Sequence, residues 1–464
     1  MAGPRSLPPR RWIVRSAIAT LIGVLLLSAV VDAATSSGQV RLGPGTVDEP
    51  VDERTYVSIQ GFHFQGISNK KKPARLVAAG PRGDTQWLHD GGQTGAVWFY
   101  DVDPLADGNL LVTSTVPGDT VVYEYDPANR SIVWSRQLDA EDTHDVDLIN
   151  GDELLVANMR NMNETSGQSD DRVYVYNLTT DEITWEWYAR DHYPASTAGG
   201  YGEDWTHVND VDKVGDGRYL VSLRNFDQAV VIDRPSGEIV RRLGSDGNLS
   251  RLYEQHNPDY LESENGTPTV LVADSENDRI VEYARENGSW TRTWKLTGRL
   301  KWPRDADRLP NGNTLVVDTL HHRVIEVTPT GEIVWEYYAA WAPYDAERGA
   351  PGSNGPTIRD LNASGSYVVS GGAGRGPAGR VTFSDWLVAT VEGTPLEAQA
   401  TWFAQRWSHI TPFVKPVWLS SWAFASVVAA LLLLVGWGVG EGVYQRARIR
   451  RAVAAAGNRI RSKV

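Results

Sequence analysis

Hydrophobic and polar positions divide this chain into two regimes. Near each end lies one unbroken apolar block: AIATLIGVLLLSAVV (Ala17–Val31) and WLSSWAFASVVAALLLLVGWGVG (Trp418–Gly440). Between them the apolar positions come in short runs that alternate with polar ones, as in LLVAN, RVYVYNL and ITWEWY, or TLVVD, RVIEVTP and IVWEYY. Turn pairs such as Asn150-Gly151 and Asn311-Gly312 introduce these sets. Period-two alternation with β-branched and aromatic residues predicts sheet strands, not helices.

The strand sets repeat. A short acidic signature marks each one: Asp101-Val-Asp103, Asp145-Val-Asp147, Asp210-Val-Asp212, Asn257-Pro-Asp259, Asp305-Ala-Asp307 and a degraded Asp360-Leu-Asn362. Successive copies are 44 to 65 residues apart. A period of this length built from short strands predicts a β-propeller, and six signatures predict six blades. Trp134, Trp185, Trp294 and Trp335 recur at one place in the repeat, which suits packing between blades better than a cofactor box. The final unit looks incomplete, with strands expected in YVVSGG and GRVTFSD. RLVAAGPRGDTQWLHD near the start resembles two strands of a unit and could close the ring, removing exposed edges. A seventh blade would require a further unit at Tyr56–Phe64.

The apolar ends add a membrane to this picture. The second block is long enough to span a bilayer at roughly 20 residues per crossing. The first is an uncleaved anchor or a signal peptide cut near Ala33. Arg10, Arg11 and Arg15 flank the first block, and Arg446, Arg448, Arg450 and Arg451 follow the second, so both ends are expected in the cytoplasm. The expected fold class is therefore all-β: a six-bladed β-propeller flanked by N- and C-terminal transmembrane helices. Residues 1–16 are read as a basic cytoplasmic tail, 17–33 as the anchor or signal peptide and 34–384 as the extracytoplasmic propeller. Residues 385–416 are read as a membrane-proximal tether, with Trp402, Phe403 and Trp407 along the interface. Residues 417–440 form the second span and 441–464 a second basic tail. Seven N-x-S/T sequons, at Asn129, Asn163, Asn177, Asn248, Asn265, Asn287 and Asn362, fit an exported, glycosylated domain.

Charge and cysteine usage narrow the function. A net charge of −13 argues against a nucleic-acid partner. Only 8 of the 45 basic residues are lysine, which suits either a salt-adapted surface or an ordinary acidic protein from a GC-rich genome. The absence of cysteine excludes disulfides, thiolate metal sites and cysteine nucleophiles.

The chemistry gathers just before each signature, where the innermost strand begins. These positions are Tyr100, His144, Asn209, His256, Arg304 and Arg359, with His207 two residues before Asn209. Histidine can act as a nucleophile or proton carrier near neutral pH. Arginine pairs with oxyanions. Three histidines with two arginines favour a site for a multi-oxygen anion over groups that merely organise turns. His321 and His322 fall in a hairpin expected at the opposite face. His63, His89, His192 and His409 show no register, and no third ligand accompanies the His-His pair. The acidic pairs are read as satisfying backbone amides at strand starts, with Ca²⁺ as the alternative.

The stretch DWTHVNDVDKVGDGRYLVSLRNFDQAVVIDRPSGEIVRRLG, followed by YEQHNPDYL, resembles the PAPS-independent arylsulfotransferase family. The matching motifs are His144-Asp145, His207-Val-Asn209, Ser222-Leu-Arg224-Asn225 and Gln255-His256, within roughly 101–338. The resemblance implies a six-bladed propeller that moves a sulfuryl group between phenols through a transiently sulfated histidine, with no cofactor. On this basis His256 would be the nucleophile, with His207 and Arg224 on the sulfate oxygens and His144 serving the leaving phenolate. Arg304, Arg359, Tyr100 and Asn209 would line the substrate site. The implied partners are an aryl sulfate donor and a phenolic or glycan acceptor. Two alternatives remain open: a non-catalytic propeller that binds a sulfated ligand, glycan or protein, and a propeller hydrolase or lactonase with a channel Ca²⁺, which calls for more channel carboxylates.

Overall fold

The structure is a computed structural model that describes residues 9–35, 42–61, 72–349, 354–372, 382–416 and 418–446. The chain divides into two compact units, residues 40–380 and residues 1–39 together with 381–464.

The larger unit is a six-bladed propeller of four-stranded antiparallel blades. Blades 1 to 5 follow chain order, with innermost strands Trp98–Pro104, Val146–Ile149, Val208–Gly215, His256–Glu262 and Asp305–Arg308. Blade 6 closes the ring from both ends of the domain. Its innermost strand is Pro343–Arg348, and its outer three are Thr55–Ile59, Arg75–Ala79 and Thr85–His89. The N-terminal pair at 75–89 thus closes the ring as the sequence suggests. Thr55–Ile59 is the second strand of that blade and not the start of a seventh; Phe62, His63 and Phe64 lie outside the described residues. YVVSGG does not build a blade either. Gly365–Val368 and Ser370–Gly371 add in parallel to the outer edges of blades 4 and 5, and Phe383–Val391 is helical.

The closing strand carries an unrecognised acidic signature, Asp345-Ala-Glu347, in place of Asp360-Leu-Asn362. The innermost strands therefore line the channel with two rings. The upper ring is Asp101, Asp145, Asp210, Asn257, Asp305 and Asp345; the lower is Asp103, Asp147, Asp212, Asp259, Asp307 and Glu347. Several of these carboxylates latch one blade to the next. Asp345 accepts from the Val102 N–H (3.1 Å), Asp145 from Val211 (2.6 Å), Asp147 from Lys213 (3.1 Å) and Asp305 from Ala346 (3.2 Å). Each bond satisfies a strand amide of the neighbouring blade, as buried backbone donors require.

Apolar clusters fill the seams between blades. Trp294 and Trp335 are fully buried there, and the indole N–H of Trp294 and of Trp185 donates to a carbonyl of the next blade, Pro329 and Arg234. The recurring tryptophans are packing residues.

Among its described residues the smaller unit has four helices: α1 (Arg10–Thr35), α2 (Phe383–Val391), α3 (Glu397–Val414) and α4 (Ser421–Tyr444). Helices α1 and α4 are long and apolar enough to cross a membrane. They run antiparallel: Arg15 pairs with Glu441 at one end (2.5 Å), and Asp32 accepts from the Ser420 N–H at the other (2.8 Å). The basic residues Arg10, Arg11 and Arg446 consequently share one end of the pair. The segment expected as a tether is two helices.

Candidate active site

The residue just before each acidic pair lies on the face opposite the first hairpin turns. In five blades the residue two positions earlier adopts a left-handed backbone: Asp142 (φ 56°), His207 (43°), Glu254 (45°), Trp302 (51°) and Ala342 (53°). None is glycine, so each conformation costs roughly 1–2 kcal/mol and is held by its surroundings. This repeated turn sets two layers of side chains around the axis. His144, Asn209, His256, Arg304 and Tyr344 form one, completed by Tyr100. Asp142, His207, Glu254 and Trp302 form the other. His207 therefore belongs to a different register from His144 and His256.

The layers converge. The Tyr344 hydroxyl stands 2.8 Å from His144 Nδ1, and the His144 ring lies 5.1 Å from His207 and 4.0 Å from Tyr100. His256 lies 5.8 Å from Tyr344 and 6.1 Å from Trp302. Arg304 sits 4.2 Å over the Trp302 ring and 4.6 Å over Tyr344. Arg224, on the turn between the second and third strands of blade 3, pairs with Glu254. Arg160 bonds Asp142 (2.8 Å) and lies 3.5 Å from Asp204, which in turn holds His207 Nδ1 at 2.8 Å. The Tyr100 hydroxyl donates to Asp142 (2.7 Å). Asn209 donates to the Gln255 carbonyl (3.0 Å), which fixes the approach to His256.

Arg359 does not join this ring. It lies in the segment after blade 6, partly exposed and paired with Glu286, while neighbouring Ile358 and Asn354 bond Glu282 and Asp259. Its expected place is taken by Tyr344. His321 and His322 correct the other way: they lie on the face of the site. His322 Nδ1 accepts from the Ala342 N–H (3.2 Å) and so supports the approach to Tyr344. His89 packs against Tyr123 and Tyr125, and His192 stacks on Trp187.

The protonation states follow from burial. Burial, followed by the charges of Arg304 and Arg224, holds His256 well below the usual imidazole range. Burial with His207 and Arg304 does the same to His144, and burial with Arg224 lowers His207 to about 4. All three are neutral at physiological pH. Burial lifts the Tyr100 and Tyr344 phenols upward, so they remain neutral.

The His256 tautomer can be assigned. Nδ1 stands 2.8 Å from Ser275 Oγ, whose hydroxyl faces the Pro303 carbonyl at 2.6 Å. A hydroxyl carries one hydrogen. Donated to Pro303, it leaves a lone pair towards His256, so Nδ1 bears the proton and Nε2 keeps its lone pair. Ser275 occupies the turn position in blade 4 that Arg224 occupies in blade 3.

Arg304 is the other decisive group. It is 7% exposed, donates to Gln60 Oε1 (2.6 Å), and among the described residues has no carboxylate partner. A buried guanidinium stays charged, and an unpaired buried charge is costly. A cation in that position suits an anionic ligand.

On the other face, the carboxylate rings line a cavity of about 900 Å³. The structure holds the channel carboxylates that the sequence reading found wanting. Among the described residues, however, no three His, Asp or Glu side chains converge to hold a metal ion.

Comparisons with known proteins bear on this site. A family model described as Arylsulfotransferase (ASST) matches residues 59–257. No curated protein matches the chain. Similar solved structures include a protein of unknown function from Bacteroides caccae (14% identity, 64% of this chain and 98% of that chain, TM-score 0.44). Others are a functionally unknown protein from Desulfotomaculum acetoxidans (11%, 64% and 99%, 0.41) and a catalytically inactive virginiamycin B lyase from Staphylococcus aureus crystallised with quinupristin (10%, 64% and 88%, 0.39). The matched stretch supplies His144, His207, Arg224 and His256. Residues 59–257 are thus similar to the arylsulfotransferase family.

Proposed function

We propose that this protein transfers a sulfuryl group from an aryl sulfate to a phenolic or glycan hydroxyl through a sulfated His256. The observation that carries the proposal is Arg304, a buried cation without an anionic partner beside three neutral imidazoles. A sulfate ester supplies the missing negative charge. His256 Nε2 attacks sulfur, the sulfur–aryl oxygen bond breaks, and phenolate leaves. Arg304 and Arg224 face the charge that spreads over the sulfuryl oxygens, as positioned donors do in phosphoryl transfer, and His207, fixed by Asp204, shapes the wall beside them. His144, held through Nδ1 by Tyr344, serves the leaving oxygen. An acceptor hydroxyl then attacks the sulfohistidine sulfur, the sulfur–Nε2 bond breaks to free His256, and the hydroxyl proton passes to the Nε2 lone pair of neutral His144. Two half-reactions of this kind give ping-pong kinetics.

The antiparallel α1–α4 pair supports a membrane-anchored reading, with basic ends in the cytoplasm and the propeller outside.

The test is incubation of the full chain with 4-nitrophenyl sulfate, with and without a phenol acceptor. Expected are acceptor-dependent nitrophenol release and a sulfated peptide containing His256. Undiminished release by His256→Ala refutes the mechanism. Binding of the aryl sulfate with no release returns the non-catalytic alternative.

A further inference from the structure

Helix α3 has two opposed stripes. Ala400, Ala404, Ser408 and Pro412, four residues apart, are buried. Trp402, Arg406, Ile410 and Val414 follow the same spacing two residues later, on the far side of the helix, and all are exposed. Trp402, Ile410 and Val414 are 61%, 57% and 59% exposed, and Phe403 beside them 41%.

The buried stripe shows where α3 sits. Ser408 Oγ bonds Ser384 Oγ of α2 at 3.0 Å. The Trp407 ring lies 5.3 Å from Phe383 of α2 and 5.6 Å from Phe424, in the first turn of α4. Trp422 of α4 meets Phe383 and Trp386. Helices α2 and α3 therefore pack around the N-terminal end of α4. Farther along, α4 exposes Leu431, Leu432 and Val435. The apolar stripe of α3 and that surface belong to the same compact helical unit.

We propose that α3 lies in the headgroup–acyl boundary of a bilayer, with the Trp402–Ile410–Val414 stripe in lipid. This rests on the reading that α1 and α4 span the membrane. Aromatic and aliphatic residues on one face with a flanking arginine are what an interfacial helix presents. Arg406 lies within the stripe, where its stem can run along apolar surface while the guanidinium reaches anionic phosphates. Sequence alone groups Trp407 with Trp402 and Phe403; the fold turns Trp407 inward.

The absence of cysteine makes the test direct, since one substitution creates one labelling site. Spin labels are placed by Trp402→Cys, Ile410→Cys, Leu432→Cys and Asn129→Cys in the full chain, reconstituted in phosphatidylcholine–phosphatidylglycerol nanodiscs. Collisional relaxation by oxygen and by a water-soluble nickel chelate is then measured. Expected is oxygen-dominated relaxation at 402 and 410, shallower than at 432, and nickel-dominated relaxation at 129. Nickel access at 402 and 410 equal to that at 129, with 432 still in lipid, overturns the α3 assignment alone. Nickel access at 432 overturns the spanning reading and the proposal with it. Dipolar broadening at 402 that vanishes on dilution with unlabelled protein overturns lipid as the occupant in favour of a second copy.

Discussion

Ser275 offers the sharpest test of how the site works. Its hydroxyl donates to the Pro303 carbonyl and accepts from His256 Nδ1, and it is fully buried. Ser275→Ala removes the acceptor and adds no bulk. The Nδ1 proton then lacks its partner, and an unsatisfied buried donor costs about 1–3 kcal/mol. The tautomer that leaves Nε2 free loses that preference. A tenfold rate change corresponds to about 1.4 kcal/mol, so kcat/KM should fall about 5- to 140-fold. Ser275 contacts the nucleophile and not the substrate, so KM for the donor should change little. Single-turnover sulfation of His256, followed by mass spectrometry, isolates this step. Imidazole ¹⁵N shifts report the tautomer directly, and Ser275→Thr, which keeps the hydroxyl, should restore most of the rate. A folded Ser275→Ala protein that sulfates His256 at the wild-type rate, with an unchanged tautomer, would refute the assignment.

Three further outcomes are expected. Because burial holds His207 near pKa 4 and His144 and His256 well below their usual range, the acid limb of kcat/KM should fall below about pH 5 and not near 6.5; an inflection at 6.5 would contradict the neutral-imidazole site. Burial in the channel raises Asp259 and Asp345 to about 7 and Asp147 to about 6, so the folded state holds protons that the unfolded chain releases near pH 4. Stability should therefore be greatest near pH 4 with respect to these groups and decline as pH rises through 7. Asp345→Asn, which can still accept from Val102, should flatten that decline and raise Tm at pH 8 by about 2–4 °C; an unchanged slope in calorimetry would count against it. Arg308 and Glu282 form a fully buried pair at 3.1 Å, so Arg308→Ala should cost about 3–5 kcal/mol in urea unfolding, with much of it recovered by adding Glu282→Gln; full additivity of the two changes would deny the coupling.

Much of the site was legible because the repeat is local. His144 and His256 precede recognisable acidic pairs, and Arg224 ends a strand whose register follows from alternation. Tyr344 was missed for an equally local reason. Its signature has glutamate in second place, and Asp360-Leu-Asn362, 15 residues on, resembles the repeat as closely. Asp142, Arg160 and Glu254 were not legible, since they take left-handed φ values that no side-chain pattern encodes; Asp204 was not, since only its bond to His207 Nδ1 ties it to the site. Ser275 looks like any turn serine until the Pro303 carbonyl claims its hydrogen.

The strands, their grouping into blades, the apolar helices and most side chains at the axis can be read from the chain alone. Each of these depends on residues a few positions apart, where alternation and turn chemistry act. How the ring closes, which residue fills its sixth position, which face carries His322 and which nitrogen of His256 is free emerge only in the folded chain. Those outcomes depend on contacts between distant segments, such as Asp345 N–H donating to Ser58 Oγ (3.1 Å), 287 residues apart. Only the closed ring brings such groups within hydrogen-bonding reach.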